Sequence, residues 1–224
     1  MSPYYTGDLS GTWETSKWST SQTEAAQASP SAWVEGTAAV FAVNSGTGTP
    51  AFTVTMNANH TIAGIFDGPL NPNPCPVTIQ GAGTMTLLAN YLNAFDVSSD
   101  TGNPGTVVVN NVIAGGSGAV LCAEAAGNIY LNGVNTYTGG TQLGYSGMLF
   151  DGTLYFNSAA SFGTGSITIS NTTAGATLYT CGLVVQGSTA VTIPNAVVSA
   201  QPTNSVGSSV NIVGNPAGVT SSRT

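Results

Sequence analysis

Basic side chains are almost missing from this chain of 224 residues: Lys17 and Arg223 are the two that exist, against nine Asp and Glu and one His. Charged residues make up 5% of the sequence, where an ordinary soluble domain carries about 25%. A nucleic acid partner needs a basic footprint to neutralise phosphates, and two cations at opposite ends cannot supply one. Phosphoryl-transfer enzymes want Lys or Arg at the transferred group, and mid-chain there is neither. Long apolar runs are missing too. Stretches such as Gly182–Val185 fall far short of the ~18 residues that a helical membrane span requires, so no membrane insertion is expected. The opening MSPYYTGDLS lacks the basic and apolar regions of a secretory signal. Three cysteines, Cys75, Cys122 and Cys181, are too few for a disulfide scaffold, and no CxxC spacing points to zinc. Helix formers cluster only in Thr20–Ala28, which Pro30 closes.

What remains is apolar and strand-forming. Hydrophobic residues reach 42%, too many for a disordered chain. They fall in short alternating runs: AFTVTM (51–56), HTIAGIF (60–66), PVTIQ (76–80), TVVVN (106–110), NIYL (128–131), GTLYF (152–156), SITIS (166–170) and GLVV (182–185). Twenty-nine glycines supply turn positions between them. The class is all-β. A sandwich or closed barrel would show a charged outer face, and a membrane barrel would show strands of about ten residues with aromatic girdles. A β-solenoid fits better: short strands form the sides of coils, and Thr, Ser and Asn ladders replace charges outside. Asparagines near strand ends (Asn110, Asn111, Asn128, Asn132, Asn135, Asn171, Asn195, Asn211) are placed to satisfy backbone groups at solenoid corners.

One stretch is more specific. Residues 128–170 contain Leu131, Gly133, Asn135, Thr136, Tyr137, Thr138, Gly139, Gly140 and Thr141, then the strand Gly152, Thr153, Leu154, then FGTGSITI (162–169). This resembles the autotransporter-associated β-strand repeat, with its L-x-G-x-N-T-Y-T-G-G-T pattern followed by a G-T-L strand. The opening Gly11, Trp13, Trp18, Ser19 and the later VTIPNAV (191–197) are similar to passenger-like proteins of that kind. The resemblance implies a right-handed parallel β-helix carried to the cell surface or beyond. Residues 1–34 are then expected to form an N-terminal cap or docking segment, in which Trp13, Trp18 and Trp33 are docking candidates; a carbohydrate-stacking platform is one reading of them and a hydrophobic cap over the first coil the preferred one. Residues 35–224 form the parallel β-helix. At ~20–25 residues per coil and ~4.8 Å between coils, the chain makes about nine to eleven coils.

The candidates for chemistry are few. His60, in NANHTIAG, has no Ser, Cys or carboxylate at a meaningful spacing and reads as a turn or ladder residue. Asp96 and Asp100, with Asn93 and Asn103, could offer oxygens to calcium, but a solvated loop is the preferred reading. Asp67, Glu124 and Asp151 are too scattered to pair. Polysaccharide-cleaving β-helices cluster carboxylates with a cation, and the cation is missing, so no enzyme, cofactor or metal is expected. Thr-x-Thr pairs at Thr53/Thr55, Thr84/Thr86 and Thr136/Thr138 recur at unequal intervals, which argues against a flat ice-binding array. Cys75 reads as a surface thiol and Cys122 and Cys181 as core fillers.

The function expected is therefore a non-enzymatic extracellular structural protein: a self-associating solenoid subunit, stacking end to end as a homopolymer in a filament or surface layer. Few charges and a weakly blunted end remove the usual barriers to edge-to-edge association. The alternative is a cell-surface adhesin that presents a loop, such as 67–76 or 142–151, to a glycan or another surface component.

Overall fold

The structure, a computed structural model, describes residues 4–5, 10–15, 18–19, 31–41, 51–67, 76–97, 105–124, 126–145, 150–170, 180–199 and 209–213. The described residues form no helix; the segment 20–28 and Cys75 lie outside them. In chain order the strands are β1 (Tyr4–Tyr5), β2 (Ser10–Thr12), β3 (Trp18–Ser19), β4 (Thr37–Phe41), β5 (Phe52–Thr55), β6 (His60–Asp67), β7 (Val77–Gln80), β8 (Met85–Leu87), β9 (Tyr91–Val97) and β10 (Thr106–Val109). They continue with β11 (Ile113–Ala114), β12 (Ala119–Glu124), β13 (Asn128–Leu131), β14 (Thr141–Leu143), β15 (Thr153–Phe156), β16 (Ile167–Ile169), β17 (Thr180–Val185), β18 (Val197–Ser199) and β19 (Ser209–Val213).

Alternation in these short runs explains how they stack. In β10 the side chains of Val107 and Val109 are buried while those of Thr106 and Val108 face outward. Parallel pairing sets each inward residue over its counterpart one coil away. The column Phe52, Val77, Val107, Ile129, Leu154, Leu183 results, and each fully buried member contributes roughly 1.5–3 kcal/mol. The opposing sheet supplies the column Ala39, Ile65, Phe95, Ala123, Leu143, Ile169. The chain is a parallel β-solenoid.

Two sheets run its length, one of eight strands in the order β19-β17-β15-β13-β10-β7-β5-β2 and one of eleven. The main path of the second is β18-β16-β14-β12-β9-β6-β4-β1-β3, and β8 and β11 branch from it. The branch arises in β6: His60–Ile62 pairs with β8, while Gly64–Asp67 pairs with β9. Gly64, at φ 154°, sits at the change of partner, and a Cβ there would lie 2.3 Å from the Ala94 carbonyl oxygen. No side chain fits that approach.

The coils are longer and fewer than the expected ~20–25 residues. Residues that meet across adjacent coils are 22 apart at Asn110 and Asn132 but 30 apart at Gly81 and Asn111. The longer of these two coils holds the branch strand β8, while β11 lies in the shorter one. Eight rungs of the eight-stranded sheet therefore take up the described chain, rather than nine to eleven.

Candidate interaction surfaces

The N-terminal end is closed by aromatic rings. Trp13 and Trp18 are wholly buried and Trp33 partly so. Their ring centroids lie 4.8 Å apart for Trp13 and Trp18, 4.9 Å for Trp13 and Trp33, and 4.7 Å for Trp18 and Trp33, tilted or edge to face, the geometry that ring quadrupoles favour. Trp18 Nε1 donates to the Trp13 carbonyl at 2.9 Å. Phe41 closes the far side. Trp13 and Trp18 pack wholly inside their own chain, and of the three only Trp33 keeps part of its surface open. The backbone seals the same end of the eleven-stranded sheet: β3 runs antiparallel to β1, and Ser31 bridges Trp18 on the other side. Nor is the segment 1–34 separate from the coils, since β1 pairs with β4 and β2 with β5.

His60 is not the partnerless residue the sequence indicates. Its ring stacks on Trp13 at 6.0 Å, and its Nδ1 meets Glu35 Oε1 at 2.6 Å. Glu14 Oε1 stands 3.5 Å from Nε2. Glu35 Oε2 also accepts from the Thr61 N–H, and Glu14 Oε1 from those of Asn57 and Ala58. Burial pushes the Glu14 carboxyl up, but the Ala58 and Asn57 amides and the imidazole outweigh it and hold the carboxyl below its usual range. The cluster fastens the cap to the second coil, and its carboxylates are occupied with backbone amides.

The repeat-like stretch forms a corner. Asn135 is 3% exposed; its Oδ1 accepts from Ile113 N–H at 2.8 Å and its Nδ2 donates to the Ser161 carbonyl at 2.7 Å, so one amide ties three coils together. Asn111 donates to the Gly81 and Gly83 carbonyls and Asn195 to those of Gly163 and Gly165, each tying its corner to the coil before it. Tyr137 is wholly buried and its hydroxyl meets Thr141 Oγ1 at 2.6 Å. Thr136 and Thr138 face solvent while their amides bond to Ile113 and Gly115 one coil back. Gly139 passes so close to the preceding coil that a Cβ would lie 2.2 Å from the Ala119 carbonyl oxygen, and Gly140 takes φ 94°. Leu131 and Leu154 point inward, Thr153 outward. Gly133 and Gly152 lie against carbonyls of Asn111 and Gly127.

On the outer side of the eleven-stranded sheet, Asp96 and Glu124 stand in register on β9 and β12. Glu124 is buried, and Asp96 Oδ1 is enclosed without a hydrogen-bond partner. Burial raises both carboxyls, and the Asp96 charge raises Glu124 further. Of the four residues weighed for calcium, the two described point to opposite faces. Asn93 points inward, where its amide bonds to Leu88, Tyr91 and Val120, while Asp96 points out; Asp100 and Asn103 lie outside the described residues. Among the described residues no group of three metal-ligating side chains converges. Cys181 is in the core, but Cys122 faces outward beside Ala94 and Gln142 and is buried there as a free thiol. Burial, then the Glu124 charge, push that thiol far up, so it is inert.

The pair sets a pH dependence. An acid whose folded pKa is raised binds its proton longer in the folded state, so stability is full below the ordinary carboxyl range and falls as pH rises through the raised value. Glu124→Gln removes one titrating group and the repulsion. The variant should match the wild type in mild acid and melt at a higher temperature near neutrality. A melting difference that stays constant across this range would mean that the pair is not ionising against itself.

Two further surfaces stand open. At the C-terminal end, the inward column Leu121, Thr141, Ile167 continues to Val197. Its first members are buried, yet Val197 is 46% and its neighbour Val198 45% exposed. Among the described residues no strand pairs with the far edge of β18. Along the eight-stranded sheet, the outward rows are Thr53, Thr78, Val108, Tyr130, Tyr155, Val184 and, beside it, an amide row in which Asn132 donates to Asn110 at 2.8 Å and Gln186 to Asn132 at 2.6 Å. Tyr130 and Tyr155 stack at 4.2 Å with their planes 4° apart. No family model, curated protein or solved structure matches the chain.

Proposed function

We propose that this chain is a non-enzymatic structural β-solenoid of the cell surface or extracellular space that associates with copies of itself. The open β18 carries the reading. A parallel sheet with an unpaired, apolar edge strand is a template for another strand, and a core column that is exposed at Val197 gains burial when a second chain covers it. Charge favours the same end. No Asp, Glu, Lys, Arg or His lies between Asp151 and Arg223, so copies of a chain with net charge −7 can approach there without repulsion. The sealed N-terminal edge of the eleven-stranded sheet offers no equivalent template.

The carboxylates support a structural role rather than a catalytic one. Glu14 and Glu35 are taken up by His60 and backbone amides. A groove of about 240 Å³ lined by Gly36, Thr37, Ala63, Phe66, Tyr91 and Ala94 holds no carboxylate, imidazole, thiol or amine side chain. The test is light scattering with negative-stain microscopy at neutral pH. The wild type is expected to give assemblies, and Val197→Lys with Val198→Lys to give a folded species of the chain's own 22.4 kDa. A wild type that stays at that mass at high concentration overturns self-association.

A further inference from the structure

The outward side of the eight-stranded sheet has a chemistry that assembly through β18 does not use. From Thr53 to Gln186, none of the outward side chains of β5, β7, β10, β13, β15 and β17 or of the residues that directly follow them carries a charge. Asp151, just before β15, stands at the margin. The face instead alternates hydroxyls and amides that both donate and accept. Its rungs recur at ~4.8 Å, close to the step of one sugar ring in an extended chain.

We propose that this face binds a linear neutral polysaccharide lying along the solenoid axis. Three observations favour that occupant. In the amide row Asn132 is bonded to Asn110 on the rung before it, and Gln186 reaches over the β15 rung to Asn132, so these donors and acceptors are held before a ligand arrives and lose little freedom on binding. The stacked Tyr130 and Tyr155 present ring edges and hydroxyls, an apolar body with a polar tip. Burial, and then the neighbouring Tyr155 phenol, raise Tyr130 above its ordinary range, so the row stays uncharged at neutral pH. A protein partner would need a broad cluster of aromatic, apolar or Arg anchors at its centre, and beyond the tyrosine pair the row offers only Val108 and Val184. Acidic polymers are repelled by the net charge of the chain.

The test is independent of self-association, because the β18 double-lysine variant serves as the background. Titration calorimetry uses soluble oligosaccharides of cellulose, chitin, mannan and xylan, with polygalacturonate as the charged control. At least one neutral series is expected to bind, gaining affinity with chain length and changing little between low and high salt. Tyr130→Ala with Tyr155→Ala should weaken binding on the order of tenfold. Asn132→Asp, which keeps the shape but adds a charge, should weaken it without altering the circular dichroism spectrum. Silence from all four neutral series overturns the proposal. So does binding that both variants leave intact, or binding confined to polygalacturonate.

Discussion

Asn135→Leu should destabilise the solenoid by about 3–5 kcal/mol, because it strands two buried backbone groups at once. The side chains are similar in size, so little volume changes. What disappears is the acceptor for Ile113 N–H and the donor to the Ser161 carbonyl, each costing about 1–3 kcal/mol when left buried without a partner. In a domain whose total stability is about 5–15 kcal/mol, that is a large share. Urea denaturation followed by far-ultraviolet circular dichroism measures it. Thr136→Ala, one residue on and exposed, is the control and should stay within about 0.5 kcal/mol of the wild type. A loss under about 1 kcal/mol for Asn135→Leu would mean that water enters the corner and takes over both bonds.

Trp18→Ala should cost about 3–5 kcal/mol by removing a fully buried ring, and the loss should be local. Trp18 sits between Trp13, Trp33 and Phe41, and its backbone holds Ser31 on one side and β1 on the other. Solenoid rungs are coupled mainly to their neighbours. Amide hydrogen exchange should therefore rise in β1, β4 and the Ser31 bridge, and change little in β13 and β15. Uniform loss of protection across all coils would show that the cap and the distant coils melt as one cooperative unit.

The fold was legible because its signals are local. Runs such as TVVV and NIYL alternate, and alternation alone puts Val107 and Ile129 inside and Val108 and Tyr130 outside. The corner role of Asn111, Asn135 and Asn195 could also be read, since an amide near a strand end is placed to satisfy backbone groups where the chain turns. Contacts between coils could not. Glu14 and Glu35 reach His60, and Asp96 meets Glu124, only once the number of residues in each coil is known, and paired residues stand 20 apart between β12 and β14 but 43 apart between β2 and β5. A shift of one residue turns every side chain to the other face, so an uneven coil hides its vertical neighbours. Cys122 misled for a related reason: it lies in an apolar run but at an outward position. The cap reading of the tryptophans rested on composition, which names the ring types but not the contacts that Trp13 and Trp18 make with each other and with Phe41.

The closed N-terminal end also gives the ladder a direction of growth. A stack of parallel rungs resembles a one-dimensional crystal, in which the first layer is the costly one and each later layer grows on a finished surface. The tryptophan plug supplies apolar contact within the first few dozen residues, where the antiparallel β3 needs no long loop to close. From there every new rung finds a template made of the chain that preceded it, in the order of synthesis. For a chain that emerges N-terminus first, the expected growth front is the C-terminal edge of the rungs already laid down.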